Sequence, residues 1–177
     1  MGLDFAPMEG VTSRDFREVH AACFPGVDRY WIPFLSPTAS HQLTARQRRE
    51  LEPGPLGFDR LVPQILTKDA ADFRWAAEAI GALGYREVNL NLGCPSGTVV
   101  SKGKGAGLLR DPAALDRFLE AIFTNAPLPI SVKKKNILII NTFFLWRLSC
   151  PSYTDRYNQR LLSKMPHTGI LNSLIRN

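Results

Sequence analysis

The chain reads as an α/β protein that forms part of a (β/α)8 TIM barrel, about strands one to five, on three observations. Short strand-like runs alternate with helix-like stretches through residues 1–133, the rhythm of βα units on a parallel sheet. No GxGxxG follows the first strand, which argues against a doubly wound dinucleotide fold. Polar residues gather at the C-terminal ends of several strands (Glu9, Gln64, Asn91 with Cys94, and Lys133), where barrel sites sit. A complete barrel takes about 250 residues, so a chain of 177 predicts an incomplete one.

The elements follow in order. Residues 3–7 form a first strand ending at Pro7. Residues 13–23 form a helix capped by Thr12 or Ser13, with Phe16, Val19, Ala22 and Cys23 on its apolar face. Cys23, in an Ala-Ala-Cys-Phe run, reads as a small core residue. A second, aromatic strand spans 29–35, although Pro33 argues against a regular ladder there. Residues 44–50 make a polar helical turn and 52–58 a loop.

The third strand is 61–66. Residues 68–83 give the clearest amphipathic helix, with Phe73, Ala76, Ala77, Ile80 and Leu83 apolar and Gly84 closing it. Residues 87–92 are a fourth strand of alternating polarity, and 93–107 a glycine-rich loop. The helix at 112–123 has Asp111 as cap, Pro112 at its first position, and Leu115, Phe118, Leu119 and Ile122 inward. A fifth strand spans 129–133.

Composition breaks after residue 133. Residues 1–133 hold 15 Lys+Arg and 15 Asp+Glu, so the net +6 arises wholly in 134–177, with seven bases and Asp155 alone. The first stretch holds 16 Ala and the second none. Residues 134–177 are therefore expected to be an atypical basic tail, frameshifted or unstructured, and their charge is no argument for RNA binding. Three cysteines without CxxC spacing exclude a disulfide framework and a structural zinc site, so no metal is expected. The start carries Asp4 where a signal peptide has a basic region, and the apolar stretch at 137–148 is broken by Asn141, Thr142 and Arg147. The expectation is a soluble, cytoplasmic protein with no membrane partner.

The chemistry concentrates at NLNLGCPSG, residues 89–97. A strand delivers Asn91, the chain turns at Gly93, and Cys94 stands before Pro95. The loop ends in KGKGAG at 102–107, whose small residues let backbone approach a ligand. A thiol at the mouth of a sheet can act as a nucleophile or as a proton donor to a carbanion. A buried cysteine beside a structural proline satisfies the same residues, and the two readings stay open at this point. Lys102 and Lys104 read equally as contacts to nucleic-acid phosphates or as solvated loop lysines.

Four motifs occur in order: APMEGVT at 6–12 with Phe16 and Arg17, NLGCPSGTV at 91–99, GKGAGLLRDP at 103–112, and SVK at 131–133. Over residues 3–133 the chain resembles the tRNA-dihydrouridine synthase family, and its PMEGV start resembles the bacterial branch. The resemblance implies an oxidoreductase that reduces the C5–C6 bond of uridine in tRNA, with FMN as cofactor and NADPH as reductant. It implies that Cys94 donates a proton, that Pro7, Met8 and Glu9 line the flavin, that Gln64 and Lys133 bind its pyrimidine edge, and that Asn91 orients the uracil. The target uridine must leave its stack to react.

The resemblance stops after Lys133. The family's later motifs, a His and Arg pair, an Asn-Gly-Asp/Glu turn and a Gly-Arg-Gly phosphate loop, do not appear. The expectation is a truncated copy with impaired or no activity, weak or absent FMN binding, and a tendency to aggregate or dimerise through bare strand edges. Two other functions are weighed. One is an FMN-dependent oxidoreductase of free pyrimidines, of dihydroorotate or dihydropyrimidine type, whose context the GCPSGTV motif fits less well. The other is a non-catalytic fragment with residual RNA binding.

Overall fold

A computed structural model of the chain describes residues 2–124 and 126–135, together with the backbone of 143–146. The elements are β1 (Asp4–Phe5), α1 (Arg14–Cys23), β2 (Arg29–Trp31), α2 (Ala45–Glu50), β3 (Leu61–Val62), β4 (Gln64–Ile65), α3 (Ala70–Ala82), β5 (Val88–Leu92), α4 (Gly97–Val100), α5 (Pro112–Phe123), β6 (Ile130–Lys135) and β7 (Phe143–Trp146). The remaining residues of 134–177, Cys150 among them, lie outside the described residues.

The strands run in chain order. β1 pairs with β2, β2 with β3, β4 with β5, and β5 with β6, all parallel. β3 and β4 are one extended run broken at Pro63, which has no N–H to give to a ladder. Its carbonyl still accepts from the Asn89 N–H at 2.8 Å. This 61–65 run therefore joins two short sheets. A monotonic parallel order without a reversal is consistent with part of a (β/α)8 barrel and not with a doubly wound sheet. β7 departs from it, pairing antiparallel with β6.

Pro33 ends β2 early, as its position predicts, and pairing resumes only as the single bridge Leu35–Ile65. Three helices begin where their cap residues place them. Ser13, Asp69 and Asp111 each accept a backbone N–H at the helix start, from Phe16, Asp72 and Ala114. Thr44 caps α2 in a reciprocal box with Gln47. The expected loops at 52–58 and 93–107 are more ordered than their glycines suggest. The first contains two 3-10 turns, and the second contains α4 and the start of a 3-10 helix over Gly105–Arg110.

The core lies between the sheet and the helices α3 and α5. Tyr30, Leu61, Ile65, Val88, Leu90 and Ile130 meet Phe73, Ala76, Ala77 and Ile80 of α3 and Leu115, Phe118, Leu119 and Ile122 of α5. Burial of each large apolar side chain contributes about 1.5–3 kcal/mol. Two expectations fail at the periphery. The face of α1 that periodicity assigns to the core is exposed: Phe16 is 41% and Val19 64% accessible, and Cys23 is exposed rather than buried. α1 follows the edge strand β1, and its buried residue is Arg17. Leu83 is 39% accessible because it caps α3 rather than continuing its inner face.

Candidate active site at the strand ends

The residues of β5 alternate across the sheet. Val88, Leu90 and Leu92 enter the core under the helices, so Asn89 and Asn91 share the opposite face. Strand register then sets polar side chains side by side. Gln64 is the partner of Asn89, Asn89 of Ser131, and Asn91 of Lys133. All five side chains are buried, at most 5% accessible.

Burial of so many polar atoms requires pairing, and they pair with one another. Gln64 Nε2 donates to Asn89 Oδ1 at 2.7 Å, and Asn89 Nδ2 donates to Ser131 Oγ at 3.0 Å. Gln64 Oε1 accepts from Asn91 Nδ2 at 2.8 Å and from Lys133 Nζ at 3.3 Å. The network ends on the Cys94 loop, where Asn91 Oδ1 accepts the N–H of Gly93 at 3.1 Å and of Cys94 at 2.9 Å. Asn91 thus bridges the amide row to the residue that carries the thiol. Cys94 itself is half-buried.

Burial pulls the Lys133 ammonium down from its usual range to about 8, an effect that nearby Cys94 opposes. Burial also lowers Lys134. The loop after Cys94 is tightly built. A β-carbon at Gly105, where φ is +57°, would meet the Cys94 carbonyl at 2.9 Å and Cβ at 3.1 Å, so only glycine fits.

The structure therefore brings together Gln64, Asn91, Lys133 and Cys94. Pro7, Met8 and Glu9 stand on a separate wall, in the turn after β1. Pro7 is buried, whereas Met8 is 56% accessible. Glu9 is exposed and pairs with Arg46 at 3.1 Å. A cleft of about 300 Å³ is lined by Glu9 of this turn and Gln64 of the amide row, with Pro33, Leu35, Arg46 and Glu50 among others. Pro7, Met8, Asn91, Cys94 and Lys133 do not line it. The turn itself is braced from behind. Thr12 Oγ1 accepts from the Met8 N–H at 2.8 Å, and Arg17 donates to the Thr12 carbonyl at 2.8 Å and to Glu50 Oε2 at 3.1 Å.

Asn89, Ser131 and Arg17 are the participants that sequence reasoning left out. Asn89 carried a signal, since it lies two residues from Asn91 on a strand and must share its face. Among the described residues, no group of metal-ligating side chains converges and no helix is long and apolar enough to cross a membrane.

A parallel α/β sheet with a lysine–amide network and a thiol loop at its C-terminal strand ends has the organisation of a barrel-mouth ligand site. The chain belongs to the dihydrouridine synthase family, whose model matches residues 4–138. It is 31% identical over 133 residues to tRNA-dihydrouridine synthase B of Pseudomonas putida, covering 74% of this chain and 38% of that protein. It is 34% identical over 135 residues to tRNA-dihydrouridine(20/20a) synthase of Xanthomonas campestris, again covering 74% and 38%. A probable tRNA-dihydrouridine synthase of Synechocystis is 30% identical over 133 residues, 73% of this chain and 36% of that protein. The chain thus spans less than two-fifths of the length of these relatives.

Proposed function

We propose that the chain is the N-terminal part of an FMN-dependent tRNA-dihydrouridine synthase, strands one to five of a (β/α)8 barrel, acting on a uridine of tRNA with NADPH as reductant. The observation that carries this reading is the buried row Gln64–Asn91–Lys133 ending on the backbone of Cys94.

The donor set fits a flavin. The amide of Gln64 and the ammonium of Lys133 lie together at the strand ends, and such a pair suits the acceptor-rich pyrimidine edge of the ring. When bound, FMN supplies the hydride that goes to C6 of the uracil. Lys133 is held against Gln64 and, being buried, gains most from an anionic neighbour. Glu9 faces the same cleft as Gln64 and would line the flavin, with Pro7 and Met8 beside it in the turn after β1.

Asn91 has two tasks in this reading. Its oxygen holds the Gly93 and Cys94 N–H groups, which aims the thiol, and its amide, which donates to Gln64, would orient a uracil carbonyl. Cys94 Sγ holds the proton that goes to C5, the role of a general acid. The sulfur lies near Lys133, whose ammonium burial holds below its usual range.

The test is a flavin-fluorescence titration of the 177-residue chain with FMN. Binding is expected to be weak but saturable. Gln64→Ala and Lys133→Ala are each expected to weaken it about tenfold or more, the value of one charge-assisted hydrogen bond. An absence of saturable binding, or affinities unchanged by both substitutions, would overturn the reading.

A further inference from the structure

Most arginines of the described chain are matched by acids. Arg14, Arg17, Arg29, Arg46, Arg49 and Arg86 each meet a carboxylate. Lys68, Lys102 and Lys104 make no ion pair among the described residues, as Arg48, Arg60, Arg74, Arg110 and Arg117 do not, but the three lysines gather at one loop. Lys68 and Lys102 are exposed and Lys104 half-exposed.

These lysines come together from distant parts of the sequence. Lys68 follows β4, and its side chain lies across Gly103, where a β-carbon would meet its Cδ at 3.6 Å and its Nζ at 3.7 Å. Gly103 is the residue between Lys102 and Lys104, so Lys68 packs on the backbone of the segment that carries both. The loop is not a loose tether. The N–H groups of Lys102 and Lys104 donate to the Val99 carbonyl at 3.2 and 3.1 Å, and Lys104 O accepts from Gly107 at 2.9 Å. The same loop is packed on the thiol segment, with the Ala106 N–H donating to Cys94 O at 3.1 Å and Gly105 pressed against Cys94.

Three ammonium groups without a carboxylate partner, two on a braced loop and one laid across it, repel one another and gain from a polyanion that spans them. We infer that Lys68, Lys102 and Lys104 form a platform for the phosphodiester backbone of a single-stranded RNA segment, next to the nucleotide whose base approaches Cys94. This rests on the RNA-substrate reading above and adds the residues that seat the strand. A base that must be unstacked to reach a thiol needs its flanking phosphates held, and the packing of Gly105 and Ala106 on Cys94 fixes the distance between the two functions.

The experiment measures binding of a labelled, uridine-rich single-stranded RNA to the 177-residue chain by fluorescence anisotropy, from about 0.05 to 0.3 M salt. The triple variant Lys68→Gln, Lys102→Gln, Lys104→Gln is expected to lower the slope of log K against log salt by about 2, near 0.7 for each phosphate released. It is expected to weaken binding at 0.1 M salt by about tenfold or more. A charge-matched control, Arg74→Gln in α3, Arg86→Gln in the turn before β5 and Arg117→Gln in α5, is expected to leave the slope nearly unchanged. FMN titration of both variants runs in parallel. Wild-type FMN binding with an unchanged RNA slope in the lysine variant overturns the platform and leaves the proposed function standing. A lost slope without FMN binding in any variant supports the platform while the flavin reading falls. Equal losses in the two triple variants, no measurable RNA binding by the wild type, or dependence on these lysines of NADPH binding alone overturns the platform.

Discussion

Substitution of Asn91 by alanine tests how the amide row holds the thiol loop. The side chain makes three hydrogen bonds, one to Gln64 and two from the N–H groups of Gly93 and Cys94. Gln64 Oε1 keeps Lys133 as a partner, so its loss is small. The two backbone donors are the larger matter, because Asn91 Oδ1 is their recorded acceptor and Gly93 is buried. A stranded buried donor costs about 1–3 kcal/mol. Cys94 is half-buried and recovers part of that from water, so the sum for Asn91→Ala is about 2–4 kcal/mol. Asn91→Asp keeps the acceptor for both N–H groups and replaces the donor to Gln64 with a buried carboxylate oxygen, whose charge the cross-strand neighbour Lys133 offsets, so it should cost less. Urea denaturation of the three proteins measures the differences. Alkylation of Cys94, followed by peptide mapping, should accelerate in Asn91→Ala, with exposed Cys23 as the internal reference. A cost below about 1 kcal/mol, or an alanine variant no worse than the aspartate one, would refute the claim that Asn91 anchors the loop.

Three further outcomes follow from the same geometry. Arg17→Ala removes a 1%-exposed guanidinium and leaves Glu50 and the Thr12 carbonyl without it; we expect a loss of about 2–4 kcal/mol in chemical denaturation, and a change within about 0.5 kcal/mol would contradict the bracing of the 8–12 turn. Gly105→Ala should cost about 1–3 kcal/mol and change Cys94 alkylation, since its β-carbon would stand 2.9 Å from Cys94 O at a φ of +57°; a neutral substitution would mean the loop can yield. Lys133 binds a proton less tightly when folded, at about 8, than when unfolded, near 10.5. The folded state therefore holds fewer protons between those values, and stability rises with pH from about 8 toward 10. Lys133→Met should remove that rise and stabilise the protein at neutral pH by up to about 3 kcal/mol. The wild-type-minus-variant difference, followed by urea denaturation across that window, isolates it from Lys134, and a difference that is flat with pH would show that the ammonium is not destabilised by burial.

Local chemistry was the most legible part of this sequence. The caps at Ser13 and Asp111 act within three residues of themselves, so no tertiary information was needed to place them, whereas Asp69, which starts α3 at Ala70 rather than at 68, was not read as a cap. The break at Pro33 was readable for the same reason, and the break at Pro63 was readable and passed over. α1 was misread because periodicity identifies an apolar face but not whether a neighbour covers it. Phe16, Val19 and Cys23 stand beside an edge strand instead of under a helix. At the site, family motifs pointed to Gln64, Asn91, Cys94 and Lys133, and these converge. Asn89 was signalled by its spacing from Asn91 and not used, while Ser131 joins the row through strand register, which sets both beside Gln64. Convergence of Lys68 with Lys102 and Lys104 was hidden altogether, because it depends on how the loop after β5 folds back over the end of β4.

The account is tested most directly by asking whether FMN shields Cys94. Iodoacetamide labelling of the 177-residue chain, resolved by peptide mapping with and without saturating FMN, reports each thiol separately. If the flavin lies against Gln64 and Lys133, labelling of Cys94 slows about fivefold or more, the protection expected when a pocket ligand covers most of a half-buried group, while Cys23 is unaffected. Equal rates at Cys94 with and without FMN, under conditions where the flavin is bound, would contradict the placement of the thiol at the flavin site.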